Sequence, residues 1–507
     1  MSFLIRWQVS LALTIGLLIL SGPVKLYGQI KNFDSEGRQI TRFSSAGDAI
    51  DAHDGEIAQF DKEYYLYGTS YDCGFEWGNK KAPFCGFKVY SSTDLTNWTD
   101  RGFLFDAQTA VWQTRCNGNT YGCFRPHVIY NRKFNNYVLW INVYDNVVGY
   151  RVFTSKTPVG PFTEVKEPTL AVNSNMPAAG LNNGDHDTFV DDDGMAYIAY
   201  TDWRAGGSIV IERLSPDYLT GTGDYIKAVT KTSTEAPGLF KRKGRYYITY
   251  SDPNCGYCAG TGTAYRMARG PLGPWSEGRP ISSNSCGGQP SFVSTIKINS
   301  ETVYFYGSDL WNNAAKNEAL ANYYWAPLQF NKDGSIRPLN CRDSYHNKNV
   351  SPKGKDAEKA IRFTSKVAVD SSTRWAQNLI IEKSGTITSI NLEVFKANSP
   401  NKDLIVTIYS ADSNAVDSEK KILYLQILPA RSIGWSAKRM VINPMLKVNK
   451  AEMYTIVLST EASKGYYGFE ATETSSKTLI VLLTSKDGGK SYLPGGDGII
   501  NVGVVIK

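Results

Sequence analysis

An all-β chain, built as a five-bladed β-propeller followed by a C-terminal β-sandwich, is the fold this 507-residue sequence predicts. Three observations predict it. Tyr, Trp, Phe and Gly are abundant while windows of helical periodicity are few, which favours strands and tight turns. One pattern, a polar residue followed by a short apolar strand, a turn and a tyrosine-rich strand, recurs five times at intervals of roughly fifty to seventy residues. After Cys341 the character changes: cysteine stops, tryptophan becomes scarce, and short alternating strands follow one another to the end.

Residues 1–28 read as a secretory signal, not as part of the fold. Arg6 supplies the positive end, Val9 to Leu20 is an apolar run too short for a confident membrane span, and cleavage is expected near Gly28, leaving Gln29 first. A retained N-terminal anchor is the alternative. The mature chain is expected to be soluble, without a membrane span, and secreted or periplasmic. Eight cysteines all lie between Cys73 and Cys341, and an even count behind such a signal argues for disulfides. Proximity suggests 73 with 85, 116 with 123, 255 with 258, and 286 with 341. A redox or zinc site at Cys255-x-x-Cys258 lacks both a βαβ context and a second ligand pair. The net charge of +7 is spread along the chain without a basic stripe, which argues against nucleic-acid binding.

The repeats begin at Asp54, Arg125, Asp185, Glu235 and Gln289. Five antiparallel units of one kind imply radial repetition, because a single four-stranded sheet cannot bury both faces alone. The stretches from Phe87, Gly149 and Ala264 then read as outer strands closing blades. In a propeller the first strand of each blade lines the central channel. The residues that open those strands therefore converge: Asp54, Arg125 with His127, Asp185, Glu235 and Gln289. The conspicuous run Asp191-Asp192-Asp193-Gly194 reads instead as a hairpin turn that sets the register of the third blade. Three carboxylates in one funnel are costly as filler, since like charges disfavour one another. They suit cleavage of a glycosidic bond, in which one carboxyl protonates the leaving oxygen and another activates water. A third acidic group beside the acid helps keep it protonated.

With these motifs in order, residues 45–345 resemble glycoside hydrolase family 43, whose members are five-bladed propellers acting with inversion. The resemblance implies that Asp54, ten residues before Tyr64-Tyr65, is the general base. Asp185, six residues before the acidic turn, would be the orienter and pKa modulator, with Asp187 as its competitor. Glu235 of Glu235-Ala236-Pro237 would be the general acid. Within the family the wording resembles galactan 1,3-β-galactosidases: Asp51-Ala52-His53, the Arg125-Pro126-x-Val128-Ile129-Tyr130-Asn131 stretch, and Gln289 in the place of a glutamine near the reacting sugar. The chain departs from them in having Asp54 where they have glycine and Phe124 where they have glutamate. An α-L-arabinofuranosidase or β-xylosidase therefore stays open, and a non-catalytic carbohydrate-binding propeller is the reading from another class.

His53, Arg125, His127, Gln289 and Trp203 are the candidate sugar contacts, and Trp77, Trp112 and Trp203 a candidate stacking wall. The insertions at 72–86 and 112–124, each with a cysteine pair, are expected to wall the pocket and favour attack at a chain end. The chemistry needs no cofactor. The resemblance implies a structural Ca²⁺ in the channel, although no EF-hand run is present. The expected domains are 29–345 for the catalytic propeller, 346–358 for a linker, and 359–507 for a sandwich that is either a carbohydrate-binding module or a packing domain. Tyr466, Tyr467, Phe469 and Tyr492 are its candidate sugar-facing aromatics.

Overall fold

The computed structural model describes residues 28–33, 37, 39–77, 79, 81–116, 122–143, 148–172, 183–252, 260–298, 300–312, 317–341, 345–347, 358–360, 363–410, 421–473, 482–495, 498–500 and 502–507. Of the signal reading, residues 1–27 lie outside the described residues, as does the Cys255–Cys258 pair. Among the described residues no helix is long and apolar enough to cross a membrane.

Five antiparallel sheets follow one another in chain order. Their innermost strands are His53–Phe60, Cys123–Asn131, Asn183–Val190, Glu235–Arg242 and Gln289–Ile298, one for each repeat read from the sequence. Each inner strand touches the next, and the fifth returns to the first, which closes the ring. The strands are buried on both faces because blades stack on blades: Tyr67, Trp140, Tyr200, Tyr247 and Trp325 are all fully enclosed. Among the described residues the fifth blade has three strands, Gln289–Ile298, Glu301–Leu310 and Asn322–Pro327. The N-terminal segment covers its outer edge. Asn32 brackets the backbone of Trp325, donating to its carbonyl at 2.9 Å and accepting from its amide at 2.8 Å, and the Arg42 guanidinium lies 4.4 Å over the same indole. This covers an edge that would otherwise present unpaired strand groups.

Disulfides join Cys73 to Cys85, Cys116 to Cys123 and Cys286 to Cys341. At the expected linker, Tyr345–Asn347 pairs with Gly28–Ile30, and Glu358–Ala360 pairs with Ile40–Arg42. The N-terminal segment thus holds both described ends of the connection.

The C-terminal region is two packed sheets. One is centred on the long strand Gly385–Ala397, the other on Leu404–Ser410 and Met453–Ser459. Alternate residues of these strands meet in a core of Ile390, Leu392, Val394, Val406, Ile408, Ile456 and Leu458. Tyr467 and Phe469 belong to that core, so they do not face solvent for a sugar, and Tyr492 packs beside Tyr409 and Val457.

Candidate active site

Every inner strand opens on a register shift: between His53 and Glu56, Phe124 and His127, Asn183 and His186, Glu235 and Gly238, and Pro290 and Phe292. A bulge adds a residue to one strand and re-aims the side chain beside it. At three openings it forces a non-glycine residue into the left-handed region: Asp54 (φ 52°), Arg125 (φ 53°) and Ala236 (φ 52°). Such backbone costs about 1–3 kcal/mol apiece and persists where the surroundings over-determine it. The same left-handed residue thus recurs at one level of the ring, at the openings of the first, second and fourth inner strands.

Arg125 is the hub. Its Nε sits 2.9 Å from Asp185 Oδ1, while its terminal nitrogens donate to the Ser291 carbonyl at 3.1 Å and the Pro290 carbonyl at 3.2 Å. It is a spoke from the second blade to the third and fifth. Its charge is held on by Asp185, Asp54 and Glu235, which places all three predicted carboxylates within electrostatic reach of one buried cation. The expectation that Arg125 contacts sugar is corrected accordingly, because the guanidinium is buried and each of its three nitrogens has a protein acceptor.

Asp54 accepts from Thr69 Oγ1 at 2.6 Å and from Tyr71 OH at 3.0 Å. Burial pushes its carboxyl up to about 6, against those hydrogen bonds and the Arg125 charge, which favour the ionised form. Glu235 is 8% exposed and accepts from the Gln289 side-chain amide across the boundary between blades four and five. Gln289 and Asp185 are half-buried, and so is Trp203. The Trp203 indole lies so close over the start of the third blade that a Cβ on Gly184 would stand 2.3 Å from its Nε1. Trp77 is 50% exposed and leads inward through Phe124 and Phe75 to Tyr71. Trp112 is elsewhere, buried among Phe84, Phe103 and Phe105 in the core of the first two blades.

Both histidines read as sugar contacts are also corrected, since each is fully enclosed. His53 lies between Asp309 (Nδ1 to Oδ1, 3.2 Å) and Asp51 (Nε2 to Oδ1, 3.5 Å), stacked on Tyr323. Although burial opposes its charge, these two carboxylates raise its pKa to about 9. Asp309 also accepts the Asp54 amide at 2.9 Å, so His53 supports Asp54 from beneath. A raised histidine value stabilises the fold fully below pH about 6.5 and is lost as pH rises through about 9. The shift is worth about 3 kcal/mol. Wild type should therefore lose stability between pH 6 and pH 10 more steeply than His53→Gln. At pH 7 that variant should itself be less stable by roughly 3–5 kcal/mol, because two buried carboxylates lose their cation. Denaturant melts of both proteins across that range check this; parallel pH profiles would contradict it.

His127 sits farther along the channel with Glu56 and Asp187, their ligand atoms within 4.8 Å of one another. Its Nδ1 is 3.1 Å from Asp187 Oδ1, though off a hydrogen-bonding line, and its Nε2 has no hydrogen-bond partner. Two buried carboxylates and an imidazole with unsatisfied nitrogens fit a divalent cation that takes mixed nitrogen and oxygen donors. They supply only part of the oxygen shell calcium prefers. Spacing could have found this set: each member lies two residues after a strand-opening position, on the same face of its strand. Thr69, Tyr71, Asp51 and Asp309 were missed as well. Only Asp309 carries a signal, an aspartate shortly after a tyrosine where a second strand ends.

The acidic turn lies six residues along the strand from Asp185, roughly 20 Å away. Asp191 there accepts from Lys241 at 2.6 Å and from the Tyr246 hydroxyl, tying the third blade to the fourth. A cavity of about 1220 Å³ opens at this far end and reaches Glu56 and Asp187, but Asp54, Asp185 and Glu235 do not line it.

The family described as "Glycosyl hydrolases family 43" matches residues 49–333. A β-D-galactofuranosidase of Aspergillus niger is 25% identical over 301 residues, covering 57% of this chain and 82% of the relative. An arabinoxylan arabinofuranohydrolase of Paenibacillus polymyxa is 26% identical over 219 residues, 37% of this chain and 32% of the relative. The solved structure of an exo-β-1,3-galactanase from Clostridium thermocellum superposes with a TM-score of 0.51 at 19% identity, covering 94% of this chain and 99% of that one. These last figures establish likeness of fold. The family match spans more than half of the 507 residues, and the chain belongs to glycosyl hydrolases family 43 as an O-glycosyl hydrolase.

Proposed function

We propose that this hydrolase acts with inversion at the chain ends of plant-type polysaccharides, with β-1,3-galactan as its first substrate, and that it works in a secreted or periplasmic setting. The observation that carries the mechanism is three carboxylates from three blades around Arg125: Asp185 in ion pair with its side chain at 2.9 Å, Asp54 accepting its backbone amide at 3.4 Å, and Glu235 within reach of its charge. Glu235 donates its proton to the leaving glycosidic oxygen, and Asp54 takes a proton from the water attacking the opposite face of the sugar. Asp185, in ion pair with Arg125, orients the layer between them. Gln289, hydrogen-bonded to Glu235, and Trp203 face the substrate side, where the indole gives an apolar plane for a sugar ring. Attack at an end is carried by the expectation that the loop stapled by Cys73–Cys85, which begins next to Tyr71 beside Asp54, walls the sugar site on one side. Glu56, His127 and Asp187 would hold the channel cation, which when bound supplies positive charge one step beyond the catalytic layer.

A second reading within the family, arabinofuranosidase or β-xylosidase, is favoured by one observation: Asp54 stands where the galactan-type sequences it resembles carry glycine. The test is release of sugar from β-1,3-galactan and from nitrophenyl β-galactopyranoside, β-galactofuranoside, α-L-arabinofuranoside and β-xyloside. Galactose released singly from galactan is the expected result. Arabinose or xylose release selects the second reading, and binding without release from any substrate selects a non-catalytic propeller.

A further inference from the structure

We infer that the C-terminal sandwich is a built part of the catalytic pocket, and that Trp435 is a positioning residue for Tyr71 and, through it, for Asp54. This deepens the proposed function and rests on its assignment of Asp54 as the base.

Tyr71 donates to Asp54, yet it begins a stretch, 71–86, that has no regular strand or helix among its described residues. Such a segment holds a side chain in place only if something outside braces it. From beneath, Asp51 accepts from the Ser70 hydroxyl at 2.5 Å and from the amides of Tyr71 at 2.9 Å and Asp72 at 3.0 Å. The other brace is the sandwich turn at residues 434–436. The Ser436 amide donates to Asp72 Oδ1 at 2.7 Å, and a Cβ on Gly434 would lie 2.3 Å from the same oxygen. The Trp435 ring lies against Gly74, where a Cβ would meet Cζ2 at 3.0 Å and where φ is 96°. Glycine is required there on both counts.

Trp435 also packs with the cluster of Tyr71, Phe75, Phe124 and Trp311. Its own position is fixed independently. The Asn317 side chain donates to its carbonyl at 3.0 Å, and Lys396 Nζ, anchored on the Ala430 carbonyl, stands 4.6 Å from the ring centroid. The contact continues beside it. Ala49 donates to the Ala437 carbonyl at 2.8 Å, Arg439 to the Gly47 carbonyl at 3.0 Å, and Phe43, Ala49, Leu320, Phe395 and Ala437 form a shared apolar cluster. A module tethered only to bring sugar nearby has no need of main-chain pairing with the segment that leads into the first catalytic strand.

The experiment compares wild type, Trp435→Ala and Trp435→Phe as full-length chains. The alanine variant should lose roughly ten- to a hundredfold in kcat on the substrate wild type hydrolyses, with KM changed far less, because the base is displaced while the sugar site stands. Phenylalanine, which keeps a flat ring on Gly74, should restore most of it. Hydrogen exchange at residues 71–77 should quicken in the alanine variant and not in the phenylalanine one. Wild-type kcat and wild-type exchange in Trp435→Ala would overturn the inference. If that variant does not fold, Asp72→Ala removes the same brace from the propeller side, and unchanged exchange at 71–77 together with unchanged kcat would overturn it equally. If wild type hydrolyses no glycoside, the catalytic assignment fails, while the exchange measurement still decides whether the turn holds the loop.

Discussion

Glu235→Gln should lower kcat on a β-1,3-linked galactobiose by about 10²- to 10⁴-fold, the range that a positioned acid supplies. The change keeps the shape of the side chain and an acceptor for the Gln289 amide, so the fold and the blade contact should survive. What it removes is a transferable proton. The loss should therefore depend on the leaving group: severe for a sugar alkoxide, which must be protonated as the bond breaks, and much smaller for a nitrophenolate, which departs unaided. Equal losses on the two substrates would assign Glu235 some other task.

Asp54→Asn should bring a loss of the same order, but one that does not distinguish the leaving groups, because water must be activated whichever group departs. The asparagine can still accept from Thr69 or Tyr71, and its backbone can still occupy the left-handed bulge, since asparagine tolerates that region better than most residues. A large loss is then chemical and not a collapse of the site. Retained turnover would oblige another group to act as base. Gln289 is a poor replacement, because its amide is not basic and already donates to Glu235.

The propeller was legible because its strands repeat and a repeat declares its own period. The strand openings from Asp54 to Gln289 followed from that alone, while the pairings of Cys73 with Cys85, Cys116 with Cys123 and Cys286 with Cys341 followed from proximity along the chain. What was not legible depends on register. The bulge at each opening shifts which side chains reach the channel, and nothing in a single strand states where its neighbour will pair. Arg125, His53 and His127 were therefore read as groups offered to a sugar, when burial and the facing carboxylates turn them into internal supports. A charged or titratable residue at a strand opening looks the same in sequence whether it faces ligand or a buried partner. Asp72 illustrates the limit further: its partner Ser436 lies 364 positions away in another domain, and no local pattern joins them.

If Asp54 and Glu235 act as base and acid on opposite faces of one sugar, with water between them, the configuration at the anomeric carbon inverts. Proton NMR of the first anomer released reads this. Early in the hydrolysis of a β-linked galactoside, before mutarotation, α-galactose should appear first. First appearance of the β-anomer would mean retention through a covalent intermediate, and would contradict the roles given to both carboxylates.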